Sequence, residues 1–305
     1  MNISGFSFVR NGIKLYFPVI ESIKSILPIC DEFVVAVGKS DSDDGTRDAI
    51  LSIGDDKIKI IDTDWDDYEQ KWHGHINAIQ TNIALDACQG DWCFYVQADE
   101  IVHEKYLPEI KRRCAELLGD NRVEGLLFKY KHFWGDYHHY QNGHGWYSKE
   151  IRIVKNNIKV YSHLSAQSFK IDDRKLNVAE VDADIFHYGW VRPPNLMQNK
   201  RRALHSIHWG KEKTGERFKD EPQVFDYGPL DRLAVFKDSH PAVMDAKLKE
   251  IDWQESLQMS GKPDKNREPH KHEKVKYRIL TFIENNILRG KRLGEYKNYN
   301  LIKNV

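Results

Sequence analysis

Gly90-Asp91-Trp92-Cys93-Phe94-Tyr95-Val96-Gln97-Ala98-Asp99-Glu100 is a short apolar run that ends on two adjacent carboxylates. Trp92 to Val96, bounded by Gly-Asp before and polar residues after, reads as a buried strand. Carboxylates at the carboxyl end of such a strand can hold a divalent cation against a phosphate, because open α/β sheets bind ligands outside the carboxyl ends of their strands.

Outward from this run, the preceding residues repeat the pattern. Ile3 to Val9 reads as a strand, Ile13 to Leu27 has apolar residues at helical spacing, and Glu32-Phe33-Val34-Val35-Ala36-Val37-Gly38 is a β-branched run closed by glycine. Ile58 to Ile61 repeats the strand signal and Ile76 to Ala87 the helical one. The alternation predicts an α/β, Rossmann-like fold with a mostly parallel central sheet and helices on both faces. Gly125 to Phe133 and Glu150 to Val154 add strands, and after Pro194 the chain turns helical.

At 305 residues the chain is long enough for one large α/β unit with a helical appendage, or for two domains. Its 46 basic and 46 acidic side chains cancel, which removes the electrostatic argument for a nucleic-acid partner. Cys30, Cys88, Cys93 and Cys114 show no C-x-x-C spacing and are expected to be reduced and structural. Arg10, Lys14, Glu21 and Lys24 interrupt the N-terminal apolar stretch, so no signal peptide is expected, and no segment approaches the ~20 apolar residues that span a bilayer. The expected setting is the reducing cytoplasm.

Two loops follow strands. Lys39-Ser40-Asp41-Ser42-Asp43-Asp44-Gly45-Thr46 can hydrogen-bond a base or ribose, or can be an N-capped turn, since its residues are also the preferred caps. Asp62 to His75 is rich in carboxylates and aromatics; it reads either as a flap with Trp65 or Trp72 stacking on a ring and Lys71 or His73 near phosphates, or as a solvated acidic loop.

Taken in order, Arg10-Asn11, the 40–46 loop, Asn82 ahead of Gly90-Asp91-Trp92, and Ala98-Asp99-Glu100 resemble the family 2 glycosyltransferases of GT-A fold. The resemblance covers about the first hundred residues. It implies a catalytic GT-A unit over 1–190 that binds a nucleoside diphosphate sugar, uridine diphosphate being the expected nucleotide, and a mainly helical region over 191–305 completing the acceptor side. It further implies transfer, with inversion, to a glycan or lipid-linked acceptor, assisted by Mn2+ or Mg2+. Arg10, Asp41, Asp44, Lys71, Asn82, Gln97 and Asp99 are then the expected donor contacts. Two departures stand out. Gln97 replaces the first aspartate of the usual Asp-Ala-Asp, leaving Asp99 and Glu100 as anionic metal contacts, and Gly38-Lys39-Ser40 stands where the family often has an aspartate after the strand.

Asp184-Ile185-Phe186-His187-Tyr188-Gly189-Trp190 looks like the His-Tyr-Gly stretch that follows the core in bacterial members of this superfamily, which makes His187 the third expected metal ligand; the bland alternative is a satisfied structural histidine. The stretch 133–147, dense in aromatics and histidines, reads as an acceptor wall through Trp134, His144 and Trp146, joined by Trp190, because aromatic faces pack on pyranose rings. Its histidines show no distinctive zinc spacing.

An inverting transfer needs a carboxylate to take the acceptor proton. Glu150 is the first candidate and Asp136 the second; Glu150 can equally be an ion-pair partner of Lys149 or Arg152. Lys200 and Arg201 can neutralise a diphosphate or belong to a solvated basic face. The apolar, base-flanked segment Val275 to Arg289 either docks on the protein's own core or rests on an anionic membrane surface, at the inner face of the membrane. Two rivals to the transferase remain open: a catalytically silent sugar-nucleotide or glycan-binding module, favoured by Gln97, and a sugar nucleotidyltransferase, disfavoured because Phe6 to Gly12 is not a Gly-rich basic phosphate loop.

Overall fold

Apolar residues on both faces of the N-terminal strands dictate a sheet covered on two sides. In β1 (Ile3–Val9), α1 (Val19–Ile26), β2 (Glu32–Gly38), α2 (Thr46–Leu51), β3 (Ile58–Thr63), α3 (Ile76–Asp86) and β4 (Trp92–Tyr95), strand and helix alternate. Phe33, Val35 and Val37 of β2 pack in one core with Ile23 and Ile26 of α1, while Val34 and Ala36 pack in another with Ala84 and Leu85 of α3. Every residue of β2 is buried, so its side chains, alternating between faces, meet apolar cover on each. The computed structural model describes residues 1–65 and 75–305.

The sheet is mixed, with its N-terminal half parallel. β3-β2-β1-β4 are parallel neighbours in that order. After β5 (Glu100–Val102), α4 (Leu107–Leu117), β6 (Gly125–Trp134), β7 (His139–Gln141) and β8 (Lys149–Lys155), the order continues from β4 to β8 to β6 with antiparallel pairing. β9 (Tyr161–His163), β10 (Ser168–Ile171) and the 17-residue β11 (Arg174–Trp190) complete it. β11 organises the site side of the sheet: it runs parallel to β6, with His187 opposite His132, and antiparallel to β5, with His187 opposite Glu100.

Beyond Trp190 come α5 (Pro194–Trp209) and α6 (Lys211–Arg217), then short turns with β12 (Ala234–Val235), α7 (Asp245–Lys249), α8 (Val275–Phe282) and β13 (Tyr299–Leu301). The region is helical mainly in its first third, and β13 returns to pair with β11. An aromatic layer, with Phe133, Trp134, Phe186, Tyr188, Phe225, Tyr227 and Trp253, fastens it to the sheet. All four cysteines are buried free thiols. No helix among the described residues is long and apolar enough to cross a membrane.

Candidate active site

The carboxyl ends of β1, β2 and β4 open on one cavity of about 520 Å³, closed from the other side by α5. Arg10 and Asn11 follow β1, Asp41 follows β2, and Gln97 and Asp99 follow β4; all line it. The Arg10 guanidinium lies 5.5 Å from the centre of the Trp65 ring, and Trp65 packs against Gly38, where a side chain would have no room. The Asp41 carboxylate sits 2.9 Å from Lys14 Nζ, and its backbone N–H donates to Asn11 Oδ1.

Asp99 is the electrostatic centre. Its Oδ2 lies 3.0 Å from Lys200 Nζ on α5 and 3.7 Å from His187 Nε2 on β11. Burial acts to raise this carboxyl, but the charge and hydrogen bond of Lys200, with the charge of Arg192, outweigh it and hold the group well below the usual carboxylate range. The Lys200 ammonium also donates to the Gly189 carbonyl at 2.8 Å and lies over the Phe17 ring; burial, then Arg192, lowers its pKa to about 8. Gly189 makes this approach possible, since a Cβ there would fall 2.5 Å from His187 Nε2 and 2.7 Å from Asp99 Oδ2.

A second histidine fixes the first. His132 Nε2 is 2.8 Å from the Tyr147 carbonyl oxygen, which can only accept, so that nitrogen carries a hydrogen. Burial lowers the His132 pKa to about 3 and keeps the ring neutral, leaving Nδ1 as acceptor for His187 Nδ1–H at 2.9 Å. His187, itself lowered to about 4 by burial, therefore turns the lone pair of Nε2 toward Asp99. Histidine metal ligands are characteristically oriented through their other ring nitrogen in this way.

Asp99 and His187 are the residues that could hold a divalent cation, with the Lys200 ammonium already 3.0 Å from the same Asp99 oxygen. Among the described residues no group of three or more His, Cys, Asp or Glu side chains could hold a metal ion. Asp99 Oδ2 and His187 Nε2 are the two available donors, and Mg2+-type sites commonly take their remaining ligands from substrate phosphates and water. Glu100 is not a third. Arg152 Nη2 and Tyr130 Oη donate to its Oε1 at 2.7 Å each, and Arg152 Nε donates to Oε2 at 2.7 Å, in a pair with no solvent exposure on either side. The metal role expected of Glu100 is replaced by a structural one.

Other expected residues also prove structural. Asp44 takes the Lys14 N–H at 2.8 Å and the Thr46 N–H at 3.0 Å, which makes it the cap of the turn into α2 and not a donor contact. Asn82 exchanges two hydrogen bonds with the Ser162 backbone and faces β9; Asn77, earlier on α3, lines the cavity instead. Asp136 is buried, accepting from the His138 and His139 backbone and the His139 ring, so it serves a turn and not an acceptor proton. Trp134 is core, stacked on Trp190 at 4.7 Å with its indole N–H on the Tyr227 carbonyl; only Trp190 of that pair reaches the cavity. Gln97 lines the cavity while its amide N–H groups reach Tyr95 Oη and the Ala166 carbonyl, tying down the loop around residue 166. Lys71, with Trp72 and His73, lies outside the described residues.

A second cavity, of about 440 Å³, meets the first at Ser165. His144 and Trp146 line it, as do Gln167 and Asn298, which hold the buried Glu150 between them at 2.7 and 3.1 Å. Burial pushes the Glu150 carboxyl up to about 7 against the opposing pull of Arg152, Gln167 and Asn298.

Lys200, His132, Arg192 and Gly189 carry more of the site than the sequence reading gave them. Met197, Lys200, Arg201, Leu204 and His208 all line the cavity, and their spacing is a helical face that the sequence did carry. Nothing local marks His132, which meets His187 from the neighbouring strand, 55 residues away in sequence.

No family model and no curated protein matches the chain. Among solved structures it is similar to S. aureus TarS 1-349, with 13% identity over 72% of this chain and 73% of that one and a TM-score of 0.39. It is similar to the same fragment in complex with UDP-GlcNAc, at 14% identity over 71% and 70% with a TM-score of 0.39. The glucosyl-3-phosphoglycerate synthase from Mycobacterium tuberculosis, in complex with Mn2+, UDP and glucosyl-3-phosphoglycerate, is similar over 44% of this chain and 45% of that one, at 19% identity and a TM-score of 0.30. These similarities are distant.

Proposed function

We propose that this chain is a glycosyltransferase that moves a sugar from a nucleoside diphosphate sugar, with uridine diphosphate as the nucleotide, to a hydroxyl of a glycan or lipid-linked acceptor, with inversion. The observation that carries the reading is the Asp99–His187–Lys200 cluster at the carboxyl end of β4, inside a cavity whose other wall holds Arg10 and Asp41. Such a concentration of buried cationic and metal-ligating groups suits a diphosphate and little else of that size.

The acceptor hydroxyl attacks the anomeric carbon, the bond from that carbon to the diphosphate oxygen breaks, and the nucleoside diphosphate leaves with the electron pair. The Lys200 ammonium and the Arg10 guanidinium meet the charge that develops on the leaving oxygens. A divalent cation, Mn2+ or Mg2+, held by Asp99 and His187 supplies further positive charge there when bound. Glu150 takes the acceptor proton, its acceptor entering by the second cavity; a carboxyl poised near 7 is matched to that task at neutral pH.

Thermal unfolding with UDP, GDP, dTDP and CMP, each with and without Mn2+, tests the donor. UDP with Mn2+ is expected to raise the Tm and Asp99→Asn to abolish the rise. Slow release of sugar from the donor, stopped by EDTA and by Asp99→Asn, is expected of an enzyme; a Tm rise without turnover across many acceptors would show a silent binding module.

A further inference from the structure

The segment formed by α8 and the π turn that follows it, Ile283–Ile287, presents an apolar stripe outward and buries an acid inward. Val275, Ile279, Phe282 and Ile287 are 68%, 56%, 62% and 63% exposed, and α8 has no buried residue. Its inner face joins half-buried Tyr277, Leu280, Ile283 and Leu288 to a set of polar anchors. Thr281 Oγ1 accepts the His144 N–H at 2.9 Å, Asn285 Nδ2 donates to the Asn142 carbonyl, and the wholly buried Glu284 takes the His144 ring at 2.7 Å and Arg292 at 2.9 Å. These bonds fix the rotation of the helix, so the apolar stripe cannot roll inward without leaving Glu284 unpaired.

Positive charge surrounds the stripe. Lys276, Arg278, Arg289 and Lys291 are exposed and make no ion pair among the described residues. The one acid between 275 and 292 is Glu284, already neutralised by Arg292, although the chain as a whole is charge-balanced. Past the turn, Leu293 and Tyr296 are also exposed, at 40% and 78%.

We infer that this face docks on an anionic membrane surface, its stripe entering the interface and its four free cations meeting acidic headgroups. A second copy is the poorer occupant, because a two-fold contact would bring the same uncompensated cations against each other. Docking also has a consequence for the site. His144, Trp146, Leu293 and Tyr296 line the second cavity, so the bilayer surface lies at its rim and the acceptor is an amphiphile presenting a hydroxylated headgroup on a lipid anchor. That last step rests on the transferase reading, whereas the docking surface does not.

Co-sedimentation of the full chain with vesicles of phosphatidylcholine plus phosphatidylglycerol, against phosphatidylcholine alone, tests the surface. Binding to the anionic vesicles is expected, weakened about tenfold or more by Ile279→Asp with Phe282→Asp, and by Arg278→Glu with Lys291→Glu. Both positions in each pair are exposed, and an unchanged Tm shows that the fold is kept. Absence of binding by the parent protein overturns the inference, as does equal binding by the variants. So does a dimer in light scattering that Ile279→Asp with Phe282→Asp dissociates. Vesicle binding without any UDP-dependent Tm rise would leave the docking surface standing and remove the transferase reading.

Discussion

Glu150, the first candidate for the proton-accepting carboxylate, is buried to 2% exposure between two amides. Burial raises its pKa from an ordinary 4.5 to about 7, so the folded state holds the proton more tightly than the unfolded chain. Stability from this group is therefore complete below about pH 4.5 and is lost as pH rises through about 7. Glu150→Gln is expected to raise stability above pH 7 by about 1–3 kcal/mol, read by urea unfolding, while removing turnover. Retained turnover would move the proton-accepting role elsewhere. Glu100 obeys the opposite logic: Glu100→Ala strands Arg152 in the core and is expected to cost about 3–5 kcal/mol without specifically affecting cation affinity. The sequence sets two carboxylates side by side, and the fold separates them for one physical reason. Adjacent residues entering a strand point to opposite sides, so one of two neighbouring carboxylates faces the cavity and the other needs a buried partner. That partner, Arg152, is 52 residues away.

At the scale of elements, the parallel half was readable because each strand is a continuous apolar run and each helix has its own period. The antiparallel half was not, since β8 lies between β4 and β6 and β11 pairs with four other strands, all through contacts that local periodicity does not encode. The irregular register of β11 between His187 and Trp190 marks where the strand bends over the site, and Tyr188 N–H bonds the Asp99 carbonyl there at 2.8 Å. Gly189 is the element's critical residue. Gly189→Ala pushes a methyl into His187 Nε2 and Asp99 Oδ2 at once. Calorimetric titration is expected to show UDP affinity reduced at least tenfold, about 1.4 kcal/mol, with a Tm fall of a few degrees. Wild-type affinity in this variant would mean that the two side chains do not act together on the donor.

Across the whole molecule, the last strand matters to chemistry that begins 148 residues earlier. Asn298 precedes β13, whose pairing with β11 and whose buried Tyr299 set the position of the amide against Glu150. Hydrogen bonds to an ionised carboxylate favour ionisation, so Asn298 and Gln167 hold the Glu150 pKa below what burial alone dictates. Asn298→Ala removes one of these donors. A charge-assisted hydrogen bond is worth on the order of 1.5 kcal/mol, which corresponds to about one pH unit. The basic-going limb of kcat/KM, expected near pH 7 in the parent protein, should move up by about that amount in Asn298→Ala, with the plateau at high pH little changed. A limb that stays in place while the plateau falls would make Asn298 a structural support and remove Glu150 as the group whose ionisation the rate follows. The C-terminal region, expected to be mainly helical, also supplies the last strand of the sheet. Its helix α5 lines the first cavity and the residue before its final strand bonds Glu150, through side chains whose partners are fixed only when the sheet is assembled.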